Sequence, residues 1–269
     1  MKKILFSIYS LLICTIGFAQ DSLQIEPMAI DSLQVGRLSV AGTKSDADSA
    51  YIRSDYTTAI QLYENLLRQG ESAELYYNLG NSYYKADDIA RAILNYERAL
   101  LLTPGNEDVR VNLEIARNKT IDKIHTIPEI FFVSWTKSLI SSMSMNAWAY
   151  WGIAFFILLL VSLYFFIFSR QVTIKKIGFL GSLVCILLVV CTNMFASQQK
   201  KTLTDRNTAI VISPSVTIRS TPNENGTSLF VLHEGSKVVI KDNSMTGWKE
   251  ITVEDGKVGW ISSTDIEVI

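Results

Sequence analysis

The sequence predicts a multidomain membrane protein: an all-α superhelix of paired helices, a two-helix transmembrane hairpin and a C-terminal all-β barrel. Three observations predict it. Residues 148–168 and 177–196 carry no charge. Upstream, aromatic, Leu-Gly, Ala and Pro positions recur at fixed offsets within one 34-residue frame. From Thr208 onward, short β-branched runs alternate with turn formers.

The chain has 269 residues, with 25 Lys and Arg against 26 Asp and Glu. That near balance gives no support to a nucleic-acid partner. The hydrophobic share of 48% is concentrated in three blocks, which points to a membrane protein with soluble modules. Cys14, Cys185 and Cys191 all fall in those blocks, so the soluble segments can build neither a disulfide framework nor a cysteine zinc site.

The first block begins Met1-Lys2-Lys3, runs apolar over 4–18 and ends on Gly17 and Ala19. A basic start, a short apolar core and small residues before a cut describe a signal peptide over 1–19. The run is short for an uncleaved membrane helix, and Ile13 is bulky for lipoprotein processing at Cys14. Residues 20–44 hold turn formers without a period and read as a flexible leader.

The helical module is expected over 45–124. Tyr76, Leu79, Gly80, Tyr83, Ala92, Tyr96, Ala99 and Pro104 resemble the tetratricopeptide pattern. Gly80 and Ala92 let two antiparallel helices approach, Leu79, Tyr83 and Tyr96 fill between them, and Pro104 stops the second helix. A weaker copy upstream has Ala59, Tyr63 and Leu66 in its second helix and a first helix near 45–53. Residues 107–123 repeat only the first helix, with Leu113 in register and Glu114 where glycine stood, as in a capping helix. In this register Glu74, Tyr77, Asn81, Tyr84 and Lys85, with Asn78 nearby, line a concave face fit for an extended peptide or a partner helix. The bland alternative is the solvated face of a helix.

Residues 127–147 place Ile130, Phe131, Phe132, Trp135, Leu139 and Ile140 among Ser and Lys. They read as an interfacial amphipathic segment, or else as a helix packed on the repeats. The spans 148–168 and 177–196 are each long enough to cross a bilayer, at roughly 30 Å of helix. Trp148, Tyr150 and Trp151 sit where aromatic rings prefer the interface. The basic link 169–176 suits a cytoplasmic loop, so an exported N-terminus returns both soluble modules to the outer side. Gly178 and Gly181 are small-residue contacts for paired spans.

Six strand-like runs follow, with Asp255-Gly256 as a tight hairpin signal. Arg219-Ser220 with Pro222, then Gly235, Gly247-Trp248 and Gly259-Trp260, resemble bacterial SH3-like domains over 208–269. That resemblance implies a binding module for peptides or cell-wall material, with Arg219, Trp248 and Trp260 as the ligand-facing residues. Tryptophan packed in the core is the alternative.

No phosphate loop, metal spacing or nucleophile elbow occurs, and His125 and His233 stand alone in sequence. The expectation is a non-enzymatic protein with no catalytic, cofactor or metal residues. Signal peptide, tetratricopeptide repeats, two spans and an SH3-like module, in this order, resemble the BatE family of Bacteroides aerotolerance operons. The resemblance implies an inner-membrane protein with periplasmic modules and a role in aerotolerance or envelope stress. It also implies partners among the other Bat proteins, including membrane-anchored von Willebrand A-domain proteins, and a MoxR-type ATPase. An adaptor is the leading expectation; a peptidoglycan-binding sensor is the alternative.

Overall fold

The computed structural model describes residues 42–123 and 131–269. The expected signal peptide (1–19), the leader up to residue 41 and the first residues of the interfacial segment (127–130) lie outside the described residues.

Five helices form the repeat module: α1 (Lys44–Ile52), α2 (Tyr56–Leu67), α3 (Ala73–Lys85), α4 (Ile89–Leu102) and α5 (Glu107–Arg117). Their starts are set by side chains that satisfy otherwise orphaned amides. Thr43 and Asp46 form a reciprocal capping box on α1, while Asp55, Asp88 and Asn106 accept from the first-turn amides of α2, α4 and α5. The turns between α1 and α2 and between α3 and α4 are built alike, with Ser54 and Asp87 both at φ 62°. The faint upstream copy is therefore a full helix pair.

Packing inside each pair follows from small residues meeting large ones. A Cβ on Gly80 would lie 2.8 Å from the Tyr96 ring, so only glycine lets α3 and α4 touch there. Tyr96 donates to Asn81 Oδ1 at 2.8 Å, and in the upstream pair Tyr63 donates to Asp48 Oδ1 at 2.6 Å. Across the pairs, the Tyr83 hydroxyl donates to Glu64 at 2.5 Å.

Next comes α6 (Phe131–Ile140), none of whose residues is buried, with Phe131 82% and Phe132 67% exposed. Two long helices follow, α7 (Met145–Phe168) and α8 (Val172–Thr204), both long and apolar enough to cross a membrane. The link between them is residues 169–171, because α8 starts at Val172 and absorbs Lys175 and Lys176. At 33 residues, α8 is about 50 Å long; it exceeds a bilayer core, so its polar end passes beyond the apolar stretch. The pair is antiparallel, with Trp148 edge-on to Phe195 at 5.0 Å and Phe166 against Phe179 at 5.6 Å. A Cβ on Gly178 would come within 2.8 Å of the Phe166 nitrogen and the Ser162 carbonyl, and one on Gly181 within 3.1 Å of Ser162 Oγ. Both small residues are thus used within the hairpin.

The C-terminal strands are β1 (Thr208–Val211), β2 (Ser215–Arg219), β3 (Ser228–His233), β4 (Lys237–Asp242), β5 (Trp248–Val253), β6 (Val258–Ser262) and β7 (Ile266–Val268). They form one antiparallel sheet in the order β3-β2-β6-β5-β4-β1-β7. The expected closed barrel is corrected here: the ladder ends at β3 and β7, and these two are not hydrogen-bonded to each other. The sheet still wraps one face around its own core, since Leu232 of β3 and Ile266 of β7 belong to one buried cluster. Closure fails because the short β7 is engaged by the repeats instead. Arg98 of α4 donates to the Val268 carbonyl at 2.5 Å and pairs with Glu267 at 3.0 Å.

That engagement is extensive. Ile210 and the terminal Ile269 are buried in the core of the helical module, with Ile212 packed against it. Lys237 reaches Glu97 of α4 at 2.8 Å. Asp122, just past α5, accepts from the His233 amide, the His233 ring and Ser236 at 2.6–2.8 Å. Arg206 grips Glu71 through both its terminal nitrogens, at 2.8 and 2.6 Å. The halves of chain before and after the two long helices therefore share one apolar core.

Gly235 sits at this seam with φ +83°, and a Cβ there would lie 2.6 Å from Thr120 Cγ2 and 3.1 Å from Ile93 Cδ1. Gly235→Ala meets both a left-handed backbone and a collision, with an expected loss of about 1–3 kcal/mol. Thermal unfolding in detergent reads it, and adding Thr120→Ser should recover only the part due to the Thr120 methyl, leaving the Ile93 contact and the left-handed backbone.

Candidate protein-binding groove

The face made by the first helix of each pair and the cap carries two adjoining hollows. One, of about 280 Å³, is lined by Asp48, Tyr51, Ile52, Tyr63, Asn78 and Asn81. The other, of about 300 Å³, is lined by Tyr51, Tyr77, Asn81, Tyr84, Lys85, Tyr96, Asn112 and Ile115. Tyr51 and Asn81 belong to both, so the hollows form one groove across α1, α3 and α5.

Five of the six expected residues line it. Asn81 Oδ1 accepts from Tyr96 and, at 3.0 Å, from Asn112; Asn112 also donates to the Tyr77 hydroxyl at 3.0 Å. These bonds use the oxygen of Asn81 and leave its Nδ2 to donate into the groove. Tyr77 leans on Tyr96 with ring centres 6.1 Å apart. Tyr84 carries the Lys119 ammonium over its ring at 4.3 Å, and Lys85 is exposed at the same rim. Asn78 makes a long 3.5 Å contact to Asp48. Glu74 lies outside both hollows, at the α1 edge, where it pairs with Lys44 at 2.9 Å.

Electrostatics differ between the two ends. Burial pushes the Asp48 carboxyl up, but hydrogen bonds from Lys44 and Tyr63 more than offset this and hold it below its ordinary range. Asp48 and Glu74 share Lys44 at one end, and at the other Lys85 stands near Lys119, which is itself paired with Asp87 at 3.4 Å. Ile52 is 80% exposed and Ile115 47% exposed beside the tyrosines. The groove thus offers amide donors, aromatic faces and apolar contacts, the means by which an extended segment is gripped.

Asp48, Tyr51, Ile52, Tyr63, Asn112 and Ile115 were not in the expected set, and Tyr96 was expected only as core. A signal for some of them was available: one 34-residue step from Asn78 and Asn81 lands on Asn112 and Ile115.

On the sheet, Arg219 stands directly opposite Trp260, which stands opposite Glu250, while Trp248 faces Ser262. Their neighbours Ile218, Ile251 and Ile261 point into the core; by alternation the arginine and both tryptophans lie on the outer face. Both tryptophans are half-buried and neither belongs to the core cluster. Arg219 is held by the Gly226 carbonyl at 3.0 Å. Among the described residues no cluster of His, Cys, Asp and Glu is placed to hold a metal.

Residues 73–106 match the tetratricopeptide repeat family model. No match to a curated protein is found for the chain. The matched span covers α3, α4 and the turn that follows, including six of the groove-lining residues, Tyr77, Asn78, Asn81, Tyr84, Lys85 and Tyr96. A tetratricopeptide repeat in that position points to a protein-interaction or scaffolding role.

Proposed function

We propose that the chain is a membrane-anchored, non-enzymatic adaptor of the cell envelope whose repeat groove holds an extended segment of a partner protein. One observation carries the reading. The α4 side of the repeats is taken by the chain's own sheet, whereas the face of α1, α3 and α5 is open and lined with hydrogen-bonding and aromatic groups. Because the modules flanking the hairpin share a core, they occupy the same side of any membrane that α7 and α8 cross. With an exported N-terminus that side is the periplasm, and the membrane is the inner one. The exposed aromatics of α6 then lie at the bilayer surface. The family resemblance supplies the candidate partners: von Willebrand A-domain Bat proteins and the MoxR-type ATPase system, in aerotolerance or envelope stress.

A second reading has its own observation. Arg219, Trp248 and Trp260 share an outer sheet face, the arrangement a sugar or peptide ligand such as peptidoglycan would use. One experiment weighs the two. Membranes carrying the intact protein, Tyr84→Ala/Lys85→Ala or Trp260→Ala are crosslinked and their bound partners compared, beside retention on purified sacculi. The adaptor reading expects at least about a tenfold loss of partner in the groove variant, with unfolding temperature within a few degrees of the parent. An unchanged partner set sinks it; sacculus retention lost only in Trp260→Ala favours the second reading.

A further inference from the structure

We infer that the polar hollow between the repeats and the approach to α7 is a lipid-headgroup site, fitted to the phosphate and ammonium of phosphatidylethanolamine. The inference rests on the reading that α7 and α8 cross a membrane. The hollow, of about 540 Å³, is lined by Gly105 and Arg110 of the repeat module, by Ser138 in the last turn of α6, and by Ser141 and Ser142 just past it. It shares no lining residue with the groove on α1, α3 and α5.

Bonds from both long helices fix its level. The Trp148 indole, in the first turn of α7, donates to the Ile140 carbonyl at 3.1 Å. Gln199, on the polar end of α8, donates to the Met143 carbonyl at 3.4 Å. The end of α6 is therefore held beside the first turn of α7, where headgroups meet the apolar span. Gly105 presses on the same stretch from the repeat side, since a Cβ there would lie 2.6 Å from the Ser142 carbonyl oxygen. That close approach brings Arg110 to the headgroup layer.

The lining divides by hydrogen-bonding role. Arg110 donates from Nη1 to Glu107 at 2.6 Å and from Nη2 to the Pro104 carbonyl at 3.0 Å, and its remaining N–H donors are left for phosphate oxygens. The hydroxyls of Ser141 and Ser142 donate to the Ser138 and Leu139 carbonyls at 3.1 and 2.7 Å, which leaves their oxygens as acceptors. Glu107 offsets the charge of Arg110, so the site favours a zwitterion over an anionic headgroup. A primary ammonium can donate to the serine oxygens, whereas the quaternary ammonium of phosphatidylcholine has no N–H to give. Phosphatidylethanolamine supplies a phosphate and a primary ammonium with no net charge.

The test uses the full chain in nanodiscs of equal phosphatidylethanolamine, phosphatidylcholine and phosphatidylglycerol, with retained lipid identified by native mass spectrometry. Phosphatidylethanolamine is expected to be retained over each of the others by at least about fivefold, the worth of one hydrogen bond. Arg110→Gln should cut its retention at least about tenfold, with circular dichroism unchanged. Ser141→Ala/Ser142→Ala should abolish the preference over phosphatidylcholine, and it decides alone if Arg110→Gln fails to fold. Soluble glycerophosphoethanolamine should bind the detergent-purified chain far more weakly than the lipid does. Equal binding would make this a site for a free phosphoester and overturn its assignment to the membrane. In a chain that resists alkaline carbonate extraction, equal retention of the three lipids, or a preference indifferent to Arg110 and the serines, overturns this inference alone. A chain freed by carbonate would sink the membrane reading and this inference with it.

Discussion

Replacing Tyr96 with alanine is expected to cost the helical module about 3–5 kcal/mol, the largest single loss we expect outside the buried charges. The ring is 1% exposed and fills the space that Gly80 opens, while its hydroxyl holds Asn81. Alanine removes the ring and leaves a cavity that neither glycine nor the short Ala92 can fill. Tyr96→Phe keeps the ring and loses only one hydrogen bond, about 1 kcal/mol, because Asn81 Oδ1 still accepts from Asn112. The two variants therefore separate stability from function. Chemical unfolding in detergent should show the large loss only for alanine. Partner capture should fall for phenylalanine as well, since Asn81 is no longer fixed from below.

That Tyr96 serves core and groove together explains which parts of the fold were legible in sequence. Helix-pair packing is local: Gly80, Ala92 and Tyr96 meet at offsets fixed by the helix period, so the pattern is the contact. The two long apolar helices were legible because the stretches 148–168 and 177–196 are free of charge and long enough to cross a bilayer. The upstream pair was faint because its chemistry had changed. Asp48 stands where Asn81 does, and Ser54 holds the left-handed position that Asp87 holds in the next pair.

What stayed hidden was long-range. His233 looked isolated because its partner, Asp122, lies 111 positions away on the other side of both long helices. Glu97 and Lys237 are separated by 140 positions. The docking of the sheet did leave one trace. In β1 the successive residues Ala209, Ile210 and Val211 are all buried, and an unbroken apolar run signals a strand covered on both faces. The barrel expectation missed this second covering, as well as the three-residue β7, too short to show an alternation.

Glu97→Ala is expected to loosen the sheet from the repeats at a cost of about 3 kcal/mol, because it breaks a buried charge cluster from the inside. Glu97 is 8% exposed; one oxygen accepts from Lys237 at 2.8 Å and the other from Arg117. Both cations are more exposed than the carboxylate, so they can partly rehydrate, which keeps the loss near the low end for buried pairs. The same cluster fixes the pH dependence. Burial pushes the Glu97 carboxyl up, but Lys237 and Arg117 outweigh it and hold the group below its ordinary 4.5. Burial likewise opposes Ser236 and His233 at Asp122, and again the partners win, below 3.8. A carboxyl depressed on folding stabilises above its unfolded value, and that stabilisation is lost as pH falls through the folded one. The seam should therefore be at full strength at neutral pH and weaken progressively below about pH 4.5. Hydrogen exchange at Ile210 and Val211 against pH reads this directly. Glu97→Gln should start weaker at neutral pH and show a shallower acid loss, with the remainder due to Asp122. If wild type and Glu97→Gln show the same acid slope, the carboxylate is not what ties the sheet to the helices, and the apolar contacts of Ile210 and Ile269 carry the seam alone.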